Sequence, residues 1–227
     1  MEIKLASVDS VIIYFNQTIS QETSLKVKSA YKLLHNLRDK GLIEIVPSYT
    51  SILITYDIFK FTFSEIKFFL EDTLKDLLTE NNNFKEITYI DVYYGEEVGL
   101  DLQRVATNAK LSIEEVIEIH SSKIYDVYAI GFLPGFAYMA SIDDKIKTAR
   151  LQSPRKKIPK GSVAIADNQT AIYPQNSPGG WNILGKTTFE LFDKNLKELS
   201  PITIESKIKF NPISKDDFLK QGGTLEF

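Results

Sequence analysis

Residues 128–188 carry the side chains best suited to chemistry, in three stretches braced by glycine and proline. The first is Gly131-Phe132-Leu133-Pro134-Gly135-Phe136-Ala137-Tyr138. The second is Ser153-Pro154-Arg155, followed by Ile158-Pro159-Lys160-Gly161-Ser162-Val163. The third is Ile172-Tyr173-Pro174, then Ser177-Pro178-Gly179-Gly180-Trp181. Loops so braced lose little entropy on binding and can present a pre-formed concave site. Arg155, bracketed by Pro154 and Pro159, offers a planar guanidinium to a carboxylate or an acyl-phosphate. Arg150 is a second guanidinium close by in sequence. Phe132, Phe136, Tyr138 and Trp181 supply apolar walls, with Pro134 and Gly135 shaping the turn between the first two. Gly179 and Gly180 allow close approach to the backbone, and their amides could form an oxyanion-type hole. Gln169 and Ser177 are hydrogen-bonding partners for an amide. Ser177 has no local base and precedes a proline, so it is not read as a nucleophile. His120 is either a general acid–base near neutral pH or a structural group at its helix end, where the dipole favours imidazolium. His35 is expected to have no role.

The elements that must hold these groups fall into two unlike halves. Val11–Phe15 reads as a strand. Gln21–Lys40 reads as a helix, with Val27, Ala30, Leu34 and Leu37 on one stripe and Gly41 as its cap. Leu42–Val46 and Ser51–Tyr56 read as strands. A second helix carries Ile66, Phe69, Leu70, Leu74, Leu77 and Leu78, with Ser64 as cap and Asn81–Asn83 as its break. Glu86–Tyr94 reads as a strand. The order β-α-β-β-α-β is the ferredoxin-like pattern, expected over residues 1–94. Residues 95–124 read as a helical linker, its second helix opened by Ser112 with Glu115 as capping-box partner. From residue 125 to 227 short apolar runs alternate with glycine and proline, the mark of an all-β barrel or sandwich. The fold class expected is thus α+β.

Composition narrows the chemistry. The 227 residues include no cysteine and two histidines, which removes disulfides, thiolate metal sites, iron–sulfur clusters and a cysteine nucleophile. A net charge of −3 and no basic stripe argue against nucleic acid. The amino-terminal residues lack the features of a signal peptide, and no segment has the roughly 20 apolar residues that span a bilayer, so a cytoplasmic location is expected. Asp143 and Asp144 are expected in a solvated loop, and no metal set is assigned. Gly180–Thr187 matches G-x-x-x-x-G-K-[ST], but a turn precedes it and the alternating Thr188–Phe192 follows it as a strand. A phosphate loop needs a helix there, so the match is rejected and Lys186 is expected to be solvated.

The loop blocks together resemble the bacterial 5-oxoprolinase B-subunit family, also called allophanate hydrolase subunit 1. Its pattern runs G-F-x-P-G-F-x-Y, P-R-x-x-(I/V)-P-x-G-S-V-x-I-A, Q-T-x-I-Y-P and S-P-G-G-W-x-(I/L)-(I/L)-G-(R/K)-T. These occur here in order at Gly131–Tyr138, Pro154–Ala166, Gln169–Pro174 and Ser177–Thr187. Tyr94-Gly95-Glu96, Asp101-Leu102 and His120 resemble its linker, and Ile45–Tyr49 its amino-terminal pattern, so the resemblance covers essentially the whole chain. It implies a cyclophilin-like barrel for residues 125–227. It also implies a subunit of an ATP-dependent enzyme that opens the cyclic amide of 5-oxoproline to glutamate, with two partner subunits of the A and C types. ATP with Mg2+ is implied at the level of that complex, its site open between this chain and a partner, and nothing is expected to be covalently bound. The alternative within the same resemblance is a KipI-type protein that inhibits a sensor histidine kinase.

Overall fold

The computed structural model describes residues 1–77, 86–195, 197 and 199–226. The expected helix break at Asn81–Asn83, and Leu78 of the second stripe, lie outside the described residues. The chain divides into two compact units, Met1–Asn83 and Phe84–Phe227.

In the first unit, strands β1 (Glu2–Ser7), β2 (Ser10–Tyr14), β3 (Leu42–Pro47) and β4 (Ser51–Tyr56) form an antiparallel sheet of order β1-β2-β4-β3. Helix α1 (Gln21–His35) buries Val27, Ala30 and Leu34, the stripe its sequence predicts. It ends at His35 rather than Lys40. A 3-10 turn over Arg38–Lys40 follows, and Gly41 closes it at φ 112°. Helix α2 (Phe63–Leu74) buries Ile66, Leu70 and Leu74. Its cap is Thr62, not Ser64. The Thr62 hydroxyl accepts the Glu65 N–H, and the Glu65 carboxylate accepts the Thr62 N–H at 2.8 Å.

The strand expected to complete the βαββαβ pattern does not join this sheet. That strand, β5 (Ile87–Val92), pairs in parallel over six residues with β13 (Lys207–Pro212) in the second unit. The order in the first unit is therefore ββαββα. A six-residue ladder with a partner 120 positions away outweighs the local pattern, and β1 takes an edge of the sheet instead.

The second unit is mixed rather than all-β. Helices α3 (Leu102–Ala109) and α4 (Ile113–Ser122) are packed parts of it, not a linker. Leu102, Val105 and Val116 are fully buried in a core with Tyr125, Val163, Ile208 and Phe210. The capping box read at Ser112 and Glu115 is present on α4. The remaining strands are β6 (Ile124–Ile130), β7 (Ala137–Ala140), β8 (Arg155–Ile158), β9 (Ser162–Ala166), β10 (Gln169–Ile172), β11 (Ser177–Gly179) and β12 (Asn182–Lys186), and α5 spans Lys215–Lys220. Seven strands form one sheet in the order β12-β9-β10-β7-β6-β13-β5, while β8 and β11 make a separate ribbon.

The seven-stranded sheet curls until its edges nearly meet. Tyr93, just past β5, exchanges two main-chain hydrogen bonds of 2.9 Å with Lys186 at the end of β12. Gly185 is required at this closure: a Cβ there would stand 2.5 Å from the Tyr93 carbonyl oxygen. The result is a nearly closed, barrel-like sheet. Among the described residues, no helix is long and apolar enough to cross a membrane.

Candidate functional site

Side chains alternate along β9 and β10, so the sheet has two differently used faces. Val163, Ile165 and Ile172 face the core that contains α3 and α4. Ala164, Ala166 and Ala171 face the other way, under Phe136, Tyr173, Trp181, Ile158 and Ile183. Three alanines on adjacent strands leave room for an aromatic layer. That layer is the candidate site.

Phe136 is its hub, 1% exposed. Its ring meets Phe132 at 5.4 Å, Tyr138 at 4.8 Å, Tyr173 at 5.4 Å and Trp181 at 5.7 Å, all edge-on. Such T-shaped contacts set the positive edge of one ring against the negative face of another. The β6–β7 loop presents Phe136 through the Gly131 N–H to Phe136 carbonyl bond and the Phe136 N–H to Leu133 carbonyl bond. Gly135 and Phe132 both have positive φ, and Phe132 is 62% exposed. Sequence blocks one and three are thus brought together, Phe136 against Tyr173 and Trp181.

The Arg150 guanidinium lies over the Trp181 ring, 5.7 Å from its centroid. Burial pushes the Tyr138 and Tyr173 phenols up, Tyr173 to about 12, and the Arg150 charge pulls both part of the way back. Both therefore remain protonated at neutral pH. The Trp181 main-chain N–H likewise offsets part of the rise at Tyr173. Gly179 serves this tyrosine rather than an approaching ligand, because a Cβ at 179 would lie 2.3 Å from the Tyr173 hydroxyl. The Gly180 carbonyl accepts the Leu151 N–H at 2.7 Å.

Arg155 differs from its expected free state. Its Nη1 and Nη2 donate to the two Asp101 carboxylate oxygens, both at 2.9 Å, a bidentate pair with Asp101 almost fully buried. The same carboxylate accepts the Ile183 N–H at 2.8 Å. Arg155 thereby ties β8 to the start of α3 and to β12. A second clamp lies alongside. The Arg104 Nη1 donates to the Asn182 side-chain oxygen, and the Asn182 Nδ2 donates to the Thr148, Ala149 and Ile165 carbonyls. Sequence reasoning does not single out Asp101, Arg104 or Asn182 for these clamps. Asp101 does stand in the linker motif, the one signal available for it.

The β8–β11 ribbon pairs Ser177 with Ile158 and Gly179 with Arg155, so blocks two and three also meet. The Ser177 hydroxyl donates to the Pro178 carbonyl, and Ser177 is nearly buried. Gln169 opens β10 and alternates in phase with Ala171, on the aromatic face. Pro134 lies in the β6–β7 turn.

His120 is not with them. Its hydrogen-bond partner Thr170 points to the opposite face from Gln169 and Ala171. The imidazole is fully buried, stacked on Phe210 at 4.7 Å. The Thr170 hydroxyl donates to the Ala164 carbonyl, so it accepts from His120 Nε2–H at 2.9 Å. Nδ1 then accepts from the Tyr94 hydroxyl at 2.8 Å. Desolvation lowers its pKa to about 3, so the imidazolium expected from the helix dipole does not form at neutral pH. Burial outweighs the dipole.

The rejected phosphate-loop pattern is strand β12 from Asn182 to Lys186, with no helix after it. These residues do not fit a triphosphate wrapped by backbone amides. Two details differ from expectation. Residues 188–192 are not a strand, and Lys186 is 6% exposed rather than solvated. Asp143 and Asp144 lie on a 3-10 turn. Asp143 accepts the Lys145 N–H, and the exposed Asp144 pairs with Lys147. Among the described residues, no three histidine, aspartate or glutamate side chains gather as a metal site.

A family model described as the carboxyltransferase domain, subdomain C and D, matches residues 1–202. The B subunit of 5-oxoprolinase from Bacillus subtilis (strain 168) is 34% identical over 219 residues, which covers 92% of this chain and 91% of that protein. The crystal structure of TTHA0988 superposes with a TM-score of 0.80 at 29% identity over 90% of this chain, and the match spans 40% of that chain. The Kluyveromyces lactis urea carboxylase superposes with a TM-score of 0.73 over 96% of this chain and 22% of its own, at 13% identity, a likeness of fold alone. On the strength of the matched residues and the full-length relative, this chain belongs to the 5-oxoprolinase B-subunit family.

Proposed function

We propose that this chain is the B subunit of an ATP-dependent 5-oxoprolinase and contributes a substrate-binding face to a complex with A- and C-type subunits. The observation that carries the proposal is the Arg150–Trp181 pair, flanked by Tyr138, Tyr173 and the exposed Phe132. A guanidinium held on an indole suits the carboxylate of 5-oxoproline, while the neutral, half-buried Tyr138 phenol can donate to an amide oxygen. The rings exclude water around a five-membered lactam. Arg155, its fork engaged by Asp101, acts as a positioning residue that holds the β8–β11 ribbon. His120 has a structural role. The lactam is resonance-stabilised and unstrained, and ATP with Mg2+, on a partner chain, supplies its activation. Cyclophilin-like names the barrel in this reading. The matched TTHA0988 chain is longer than this one, which supports a chain that works with others.

The test is glutamate release from 5-oxoproline with ATP, using the purified A- and C-type partners with and without this chain. Omission should abolish release. Arg150→Ala should lower kcat/KM tenfold or more, about 1.4 kcal/mol, with an unchanged melting temperature. Full activity without this chain would overturn the reading. Tight binding to a histidine kinase dimerisation domain in its place would favour the inhibitor alternative.

A further inference from the structure

The proposed function leaves Lys186 unused, although it is a buried cation in a conspicuous motif. Its side chain is 6% exposed. Its Nζ donates to the Thr224 carbonyl at 2.8 Å, the Thr224 hydroxyl at 3.3 Å and the Glu226 carbonyl at 3.0 Å. All three acceptors are neutral. Beside it lies a cavity of about 430 Å³ whose lining includes Lys157, Lys160, Asn176, Thr187 and Glu226. Lys160 is paired with Glu190 at 2.6 Å, so its charge is already answered. The Lys157 charge bears on Lys186 with the same sign, and the Glu226 charge opposes it.

The covering segment is lightly held. Thr224–Glu226 has no regular secondary structure, and among the described residues its hydrogen bonds are those from Lys186. It leaves α5 through Gly222, at φ 84°, and Gly223, whose N–H groups return to the Leu219 and Phe218 carbonyls.

We propose that Lys186 and Lys157 form a binding site for a small oxyanion, phosphate or carboxylate, and that residues 224–226 fill it as a displaceable plug. An anionic acceptor adds Coulomb attraction to the ammonium's hydrogen bond, which a neutral carbonyl does not. Release of three ordered residues also returns their backbone entropy. An arriving oxyanion therefore has two advantages over the plug, against the cost of its own dehydration. The donors are side-chain ammoniums on two strands, Lys186 at the end of β12 and Lys157 within β8. This is not phosphate-loop geometry, and the proposal does not depend on the oxoprolinase reading.

The chain has no cysteine, so Leu225→Cys carries a single nitroxide label on the full-length protein. Without anion its spectrum should be immobilised. Inorganic phosphate or glutamate should convert it to a mobile spectrum, with a midpoint equal to the Kd from calorimetry, while chloride at equal ionic strength should not. A response to phosphate alone assigns a phosphate site, and one to glutamate alone a carboxylate site. Lys186→Met should give a mobile label from the start and at least tenfold weaker binding. Lys157→Met should leave the label immobile and weaken binding several-fold, which keeps a readout if the first variant does not fold. An immobile label at calorimetric saturation, or no binding of either anion up to tens of millimolar, would overturn the proposal.

Discussion

Two arginines five residues apart do different work because of what each one faces. Arg150 is exposed and rests on an indole, whereas Arg155 has two donors committed to a buried carboxylate. Their variants should separate cleanly, with Arg150→Ala costing activity and Arg155→Ala costing stability. His120 makes a third case, with a sign fixed by burial. Its folded-state pKa is about 3, below the value of about 6.5 expected for the unfolded chain. As pH falls, the unfolded chain takes up the proton first. The contribution of His120 to stability is therefore complete above pH 6.5 and is lost progressively between pH 6.5 and 3. Its upper size is roughly 5 kcal/mol, by the linkage of pKa to stability. Urea unfolding at a series of pH values should show stability falling over that window. The same series on His120→Gln, less stable throughout, should be flatter by up to one proton. Equal slopes would show that the imidazole is not shielded as described.

At the scale of elements, the site depends on clamps between segments far apart in sequence. Asp101 at the start of α3 holds both Arg155 on β8 and the Ile183 N–H on β12. Removing the guanidinium leaves a carboxylate buried with one remaining donor. Arg155→Ala should then cost about 2–3 kcal/mol, read as a lower midpoint in urea, and Arg155→Lys should recover only part of it because an ammonium cannot bridge both oxygens. A second variant tests the ribbon itself. Gly179→Ala drives a methyl into the Tyr173 hydroxyl and should cost about 1–3 kcal/mol, which Tyr173→Phe on the same chain should partly relieve. These clamps explain what the sequence can and cannot disclose. The helix stripe of Val27, Ala30 and Leu34 and the Ser112–Glu115 capping box are local, and sequence spacing suffices to find them. So is the meeting of Phe132, Phe136 and Trp181 legible, because proline and glycine brace each loop that carries them. The partner of Arg155 is 54 residues away, and the burial of His120 depends on Phe210 and Thr170. No local spacing encodes either contact.

For the whole chain, the consequential strand is β5. Local pattern assigns it to the first half, yet it supplies the parallel partner of β13 and, one residue later, the Tyr93–Lys186 closure. Without it, β13 would lose a six-residue ladder and the buried Ile90 and Val92 would leave the main core. Each side chain contributes about 1.5–3 kcal/mol of burial, so their joint loss is comparable with the roughly 5–15 kcal/mol that holds an ordinary domain together. Two fragments test this directly. Residues 84–227 should fold alone, with one cooperative thermal transition and dispersed amide resonances. Residues 95–227, cut at the boundary the sequence pattern suggests, should not. They should bind a hydrophobic dye and lack a transition, and a synthetic peptide of residues 84–94 should restore it. Cooperative folding of residues 95–227 alone would return β5 to the first half of the chain.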